Sequence, residues 1–270
     1  MISARVPLKP ATTRLRYAHC GLHDRKRGLI ENSLPAFEAA MRGGFAIECD
    51  VRPSADSTAM VFHDATLERL TLSFGPISDR STNDLCQIPL TGSRPTATIS
   101  TYTDLLAMVH GRCPLLVEVK SDWGPVNPDF IHHIAAPANA YAINVARGRD
   151  PDAPDPLMLM SFDPAVVAAL AKAAPNIPRG LVSGSYANAD ASPWWPDVVN
   201  DTRRAALRDL AKFEAVGASF VAYEASALPS PRVAELRSRG NPVFAWTVRS
   251  TDAWAAIRDH ADAPIFEGVP

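Results

Sequence analysis

A chain of 270 residues, 47% hydrophobic and 21% charged, has enough apolar material for one large α/β domain, with neither the polarity of a disordered chain nor the apolar excess of a membrane protein. A net charge of −2 gives no field that would gather nucleic acid, and the one compact basic run, Arg25-Lys26-Arg27, reads as a solvated loop. Residues 1–10 lack the apolar stretch of a secretory signal, no window approaches 18 apolar residues, and four cysteines without C-x-x-C spacing need no disulfide framework, so the expectation is a cytoplasmic protein with reduced thiols and no stable membrane insertion.

From residue 15 onward, short apolar runs alternate with helical patterns, the sequence sign of βα units around parallel strands. In chain order the spacing predicts strand 15–19, helix 34–41, strands 45–51 and 60–63, helix 102–110, strand 115–120, helix 129–145, strand 157–162, helix 164–174, strand 179–183, helix 201–216, strand 220–223, helix 232–239, strand 243–248, helix 252–260 and strand 264–266. Ser33, Asp163, Ser230 and Thr251 stand where N-caps belong, and Gly43-Gly44, Gly217 and Gly240 where helices should stop. The fold class is a single (β/α)8 TIM barrel over residues 1–270, with nine strand candidates for eight places. The eight residues 52–59 cannot hold a crossover helix, so the barrel is irregular between the second and third strands and one candidate lies outside the ring. Of the 24 prolines, the densest groups at 150–156 and 191–196 read as stiff surface loops rather than linkers, because the βα alternation continues on both sides.

Strand periodicity turns Phe45, Ile47, Cys49 and Val51 to one face and Ala46, Glu48 and Asp50 to the other. The same test on residues 115–120 sends Leu115, Val117 and Val119 toward the helices and Glu118 with Lys120 inward, near the strand's carboxyl end. Three carboxylates converging in a barrel mouth repel one another unless a cation neutralises them, and an all-oxygen set suits magnesium, calcium or manganese rather than zinc. His19 and His63 end two of the strand candidates and form an acid/base pair around that cation. His23, His110, His132, His133 and His260 have no clustered partner in the pattern and read as structural.

With Ala18-His19-Cys20-Gly21, the run from Glu31 through Asn32-Ser33-Leu34-Pro35 to Ala40, Ile47-Glu48-Cys49-Asp50-Val51, Val61-Phe62-His63-Asp64 through Thr71, Val117-Glu118-Val119-Lys120, Met160-Ser161-Phe162 and Ala245-Trp246-Thr247-Val248, the chain resembles the glycerophosphodiester phosphodiesterase family of phospholipase-C-like barrels over nearly its whole length. The resemblance implies hydrolysis of a small-molecule phosphodiester to glycerol 3-phosphate and an alcohol. Mg²⁺ or Ca²⁺, with Mn²⁺ as an alternative, would sit on Glu48, Asp50 and Glu118, while His19 and His63 exchange protons, Lys120 holds the phosphate and Trp246 walls the substrate. A role in lipid metabolism follows from that substrate class. The family usually carries arginine directly after the first histidine, where this chain has Cys20.

A thiol cannot replace a guanidinium fork on a phosphate. Two expectations follow. One of Arg25, Lys26 and Arg27 reaches the phosphate instead, or Cys20 is a stabilised thiolate, an oxidisable switch or a ligand. A competing reading is a catalytically impaired or altered-specificity barrel that binds phosphate-bearing ligands; both histidines, the three carboxylates and Lys120 argue against it. A barrel lyase or aldolase would need a Schiff-base lysine, for which only Lys120 offers itself.

Overall fold

The first strand, β1 (Tyr17–Ala18), opens a ring of parallel strands in a computed structural model that describes residues 5–187 and 198–268. The proline-rich stretch 191–196 and the first four residues of the leading segment lie outside the described residues. After β1 come α1 (Leu34–Arg42), β2 (Ala46–Pro53), β3 (Ala59–Val61), α2 (Thr82–Leu85), β4 (Ser100–Thr101), α3 (Tyr102–Val109), β5 (Leu115–Val119) and α4 (Pro128–Ala146). The chain continues with β6 (Leu157–Ser161), α5 (Pro164–Ala173), β7 (Arg179–Ser183), α6 (Asp201–Arg208), β8 (Phe220–Glu224), α7 (Pro231–Ser238), β9 (Val243–Val248), α8 (Thr251–Ile257) and β10 (Ala263–Phe266).

Strands β1, β2, β5, β6, β7, β8, β9 and β10 pair in that order, all parallel, and β10 returns to β1, closing an eight-stranded (β/α)8 barrel. The irregularity expected after the second strand is a hairpin. A tight turn in which Ser54 N–H donates to the Thr58 carbonyl (3.0 Å) sends β3 back antiparallel along β2, and β4 pairs antiparallel with β3 outside the ring. Candidate 60–63 is therefore the strand without a place in the barrel, because so short a connection reverses the chain instead of crossing over. The periodicity gave no sign of β4, whose two residues are Ser and Thr. Between β3 and β4, Phe62, Leu67, Leu70, Ile77, Leu85 and Leu90 bury one another in a small core of their own.

Two of the four caps form as read: Ser33 Oγ accepts from Ala36 N–H and an Asp163 carboxylate oxygen from Ala165 N–H, while Ser230 stands at the start of α7 without a side-chain bond to its first turn. At α8 the cap is Ser250, not Thr251. The helix expected over 201–216 stops at Arg208, and Leu210 takes a left-handed φ of 50° that a helix cannot contain. Among the described residues, no helix is long and apolar enough to cross a membrane.

The two strand faces fill two separate cores. Outward residues Ile47, Cys49, Val51, Leu115, Val117 and Val119 pack with the helices. Tyr17, Ala46, Leu116, Met158, Met160, Val182, Phe220, Phe244 and Ile265 fill the barrel interior. A side chain at Gly180 would place its Cβ 2.2 Å from the Phe220 ring, so this β7 position admits only glycine opposite that phenyl group. Above this apolar packing, the next inward positions of β1, β2 and β5 belong to His19, Glu48, Asp50 and Glu118.

Candidate active site

Glu48 and Asp50 leave β2 on its inner face and Glu118 leaves β5 beside them, since Asp50 is the register partner of Glu118. All three are buried, at 1%, 0% and 7% exposure, and a carboxylate oxygen from each lies within 4.8 Å of the other two. Lys120 Nζ bridges two of them, 2.9 Å from Asp50 Oδ1 and 2.7 Å from Glu118 Oε1. Asn32 fixes Asp50 from the opposite side: its Nδ2 donates to Asp50 Oδ2 at 2.8 Å, and its Oδ1 accepts from Asp50 N–H at 3.1 Å. Asn32 sits at φ 54°, a left-handed position that asparagine tolerates.

The electrostatics are those of an anionic cluster short of positive charge. Burial and the neighbouring Asp50 push Glu48 up to about 8, so one lysine does not support three ionised carboxylates. Burial also opposes ionisation of Asp50, but Lys120, His63 and His19 outweigh it and hold Asp50 well below the usual carboxylate range. Three buried oxygen-donor groups on two adjacent strands, one of them pushed up for lack of charge compensation, fit a hard divalent cation.

His19 follows the inward Tyr17 by two residues and enters the mouth, its N–H bonded to the Phe266 carbonyl at 2.9 Å. Nδ1 meets Glu267 Oε1 at 2.8 Å and Nε2 lies 4.0 Å from Glu48 Oε2. Burial disfavours the imidazolium, yet Glu48, Glu267 and Asp50 together raise His19 to about 9. Glu267 itself is held down to about 2 by its bond to His19. His63 arrives by a route the sequence did not show. It leaves the antiparallel β3, where Phe62 N–H donates to the Asp50 carbonyl at 3.1 Å, so the hairpin rather than a barrel strand returns it to the mouth. Its Nδ1 is held by Asp64 Oδ1 at 2.7 Å, Asp64 by Arg69, and Arg69 in turn by both oxygens of Glu31.

These side chains share a pocket of about 720 Å³. His19, Glu48, Glu118, Lys120, His63 and Trp246 all line it, while Asp50 lies beneath Lys120. Its apolar wall is formed by Trp123, Met160, Phe162, Val182, Trp246 and Ile265, with Trp246 and Phe162 edge to face at 5.5 Å. Three expectations need correction. Cys20 is not favoured as a thiolate, since its buried Sγ donates to Asp50 Oδ2 at 3.2 Å and burial with the Asp50 and Glu48 charges pushes the thiol up, although Sγ lies within 4.8 Å of ligand atoms of His19 and Glu48. Arg25, Lys26 and Arg27 form an exposed 3-10 turn capped by Asp24, and none of them lines the pocket. His23, read as lacking a clustered partner, lies within 4.8 Å of His19 and Glu267.

Sequence reasoning missed Glu267, Asp64 as the holder of His63, Asn32 and Arg249, whose Nε donates to Glu267 Oε2 at 2.9 Å. Asp64 and Asn32 stood inside quoted motifs without a role. Glu267 follows the last strand directly, a position that barrel geometry alone would mark.

Comparison with known proteins agrees with this architecture. The model of the glycerophosphoryl diester phosphodiesterase family matches residues 19–266. No curated protein sequence matches the chain. Among solved structures, it is similar to a protein of Silicibacter pomeroyi DSS-3 at a TM-score of 0.72 and 17% identity, covering 96% of this chain and 94% of that one. It is also similar to an Oleispira antarctica phosphodiesterase in complex with the product sn-glycerol-3-phosphate (0.69, 18%, 93% and 92%). A third is a glycerophosphodiester phosphodiesterase from Agrobacterium tumefaciens str. C58 (0.64, 20%, 94% and 95%).

Proposed function

Because this chain belongs to the glycerophosphoryl diester phosphodiesterase family, and so to the phosphoric diester hydrolases, we propose that it cleaves glycerophosphodiesters to glycerol 3-phosphate and an alcohol, with a divalent cation on Glu48, Asp50 and Glu118 and with His19 and His63 moving the protons. The observation that carries this reading is a cluster of three buried carboxylates, two of which line the same pocket as two histidines, each histidine held at Nδ1 by a carboxylate of its own.

A Mg²⁺, Ca²⁺ or Mn²⁺ ion bound there offsets the negative charge that grows on the phosphoryl oxygens in the transition state. Lys120 spends two of its three N–H donors on Asp50 and Glu118 and keeps the third for a phosphoryl oxygen. Glu267 and Asp64 fix the rings of His19 and His63 so that each Nε2 is left to work. One takes the proton of the attacking hydroxyl and the other protonates the departing alkoxide, which leaves slowly as an anion. Trp246, braced by Phe162, packs against the substrate and keeps water out of the pocket. In this reading residues 1–270 act as one phosphodiesterase unit in the cytoplasm, on small diesters of lipid metabolism.

The test is turnover of a panel of glycerophosphodiesters with EDTA, then with Mg²⁺, Ca²⁺ and Mn²⁺ returned one at a time. Activity is expected to vanish with the chelator and come back with at least one ion. Turnover indifferent to EDTA sinks the carboxylate assignment. Saturable binding of glycerol 3-phosphate without turnover under any condition favours the binding-barrel alternative.

A further inference from the structure

A phosphodiester entering this pocket brings a full negative charge, and among the described residues three arginine or lysine side chains line its walls: Arg52, Lys120 and Arg249. Two are committed. Lys120 is clamped between Asp50 and Glu118. Arg52 is divided between the His63 carbonyl, 2.6 Å from its Nε, and Asp122, 2.9 Å from its Nη1. Cys20, directly after His19, turns its buried Sγ to Asp50 and brings no positive charge to the mouth.

Arg249 differs from both. It lies just past the end of β9, three residues after Trp246, and its side chain is 67% exposed. Its Nε is anchored on Glu267 Oε2 at 2.9 Å, and the other oxygen of Glu267 holds His19 Nδ1 at 2.8 Å. Among the described residues, no partner occupies Nη1 or Nη2. A guanidinium held at Nε presents its two Nη groups as a planar fork, the geometry that grips two oxygens of one phosphate.

We propose that Arg249 is the phosphate clamp of this enzyme, gripping the non-bridging oxygens of the diester through Nη1 and Nη2 while Glu267 ties it to His19. The proposal rests on reading the pocket as a glycerophosphodiester site. It assigns to the β9 end of the mouth the bidentate cation that the β1 end lacks.

The experiment compares wild type, Arg249→Gln and Arg249→Lys, with the Arg25→Ala, Lys26→Ala and Arg27→Ala single variants as charge controls, all loaded with the ion that supports turnover. The readouts are kcat, KM and inhibition by glycerol 3-phosphate and by inorganic phosphate, with thermal melts to check folding. Loss of a charged bidentate contact should raise KM by about 10- to 100-fold in Arg249→Gln, weaken inhibition by both anions in parallel, and leave kcat within about 3-fold. Arg249→Lys should fall between, keeping the charge without the fork, and the three controls should match wild type. An unchanged KM in Arg249→Gln overturns the proposal. So does a fall in kcat with KM and anion inhibition unmoved, which would make Arg249 a support for Glu267 only. Absence of turnover in wild type is a different failure and strikes the parent reading of the pocket.

Discussion

The lower and upper halves of the barrel interior come from the same strands and obey opposite rules. Below, Tyr17, Leu116, Met158, Phe220 and Phe244 interdigitate with no charged group among them, and Phe244 meets Tyr17 and Phe220 edge to face at 5.3 and 5.2 Å. Two residues further along β1 and β2 the interior becomes a cluster of buried carboxylates beside a histidine, and burial with repulsion from Asp50 disfavours the charge on Glu48. The floor is where burial of apolar surface stabilises the fold. The mouth is a standing electrostatic cost, kept because converging charge is what holds a cation and moves protons. A substitution should therefore change either stability or turnover according to its level in the barrel.

The sharpest way to break that division is His63→Ala. The ring is 41% exposed and lies on the hairpin, so its loss should lower kcat by about 10²- to 10⁴-fold while the melting temperature stays at the wild-type value. A fall in melting temperature matching the loss of activity would erase the distinction. Phe244→Ala is the counterpart on the floor. It should cost about 3–5 kcal/mol in denaturant unfolding and leave kcat of the folded enzyme unchanged. A large kcat defect at full folding would show that the floor sets the geometry of the mouth more finely than its packing implies.

The smallest effect is a pH dependence of the cation-free protein. His19, raised from 6.5 to about 9, favours the folded state while protonated; that contribution is complete below about 6.5 and disappears as the pH climbs through 9. Glu48, raised from 4.5 to about 8, acts in the same direction, because its buried carboxyl is tolerated only while neutral. The melting temperature in EDTA should fall by about 3 °C or more between pH 6.5 and 9, and excess Mg²⁺ or Ca²⁺ should flatten the decline by supplying the missing charge. A flat curve in EDTA would mean that Lys120 alone balances the cluster.

The carboxylates were legible because a strand alternates strictly. Once Ile47, Cys49 and Val51 are assigned to the helices, Glu48 and Asp50 have nowhere to go but inward, and Val117 and Val119 do the same for Glu118. His63 was found at the right place for the wrong reason. Its apolar approach read as a barrel strand, whereas β3 runs antiparallel outside the ring, and short apolar runs do not encode pairing direction. Asp64 and Asn32 stood in motifs and Glu267 at a strand end, yet neither they nor Arg249 could be given a role, since what distinguishes them is the atom each one meets.

The sequence by itself determined the alternation of strands and helices, the face on which each strand side chain falls and the acidic character of the mouth, because periods of two and 3.6 residues are local properties of the chain; which eight strands close the ring was decided by pairing. Tertiary structure alone decided that Cys20 bonds Asp50 rather than entering the pocket, that Arg25, Lys26 and Arg27 stay outside, and that Glu267 links His19 to Arg249. Those contacts join residues far apart in the chain, among them His19 and Glu267 at 248 positions' separation. Their geometry is set by closure of the barrel, which brings β10 against β1.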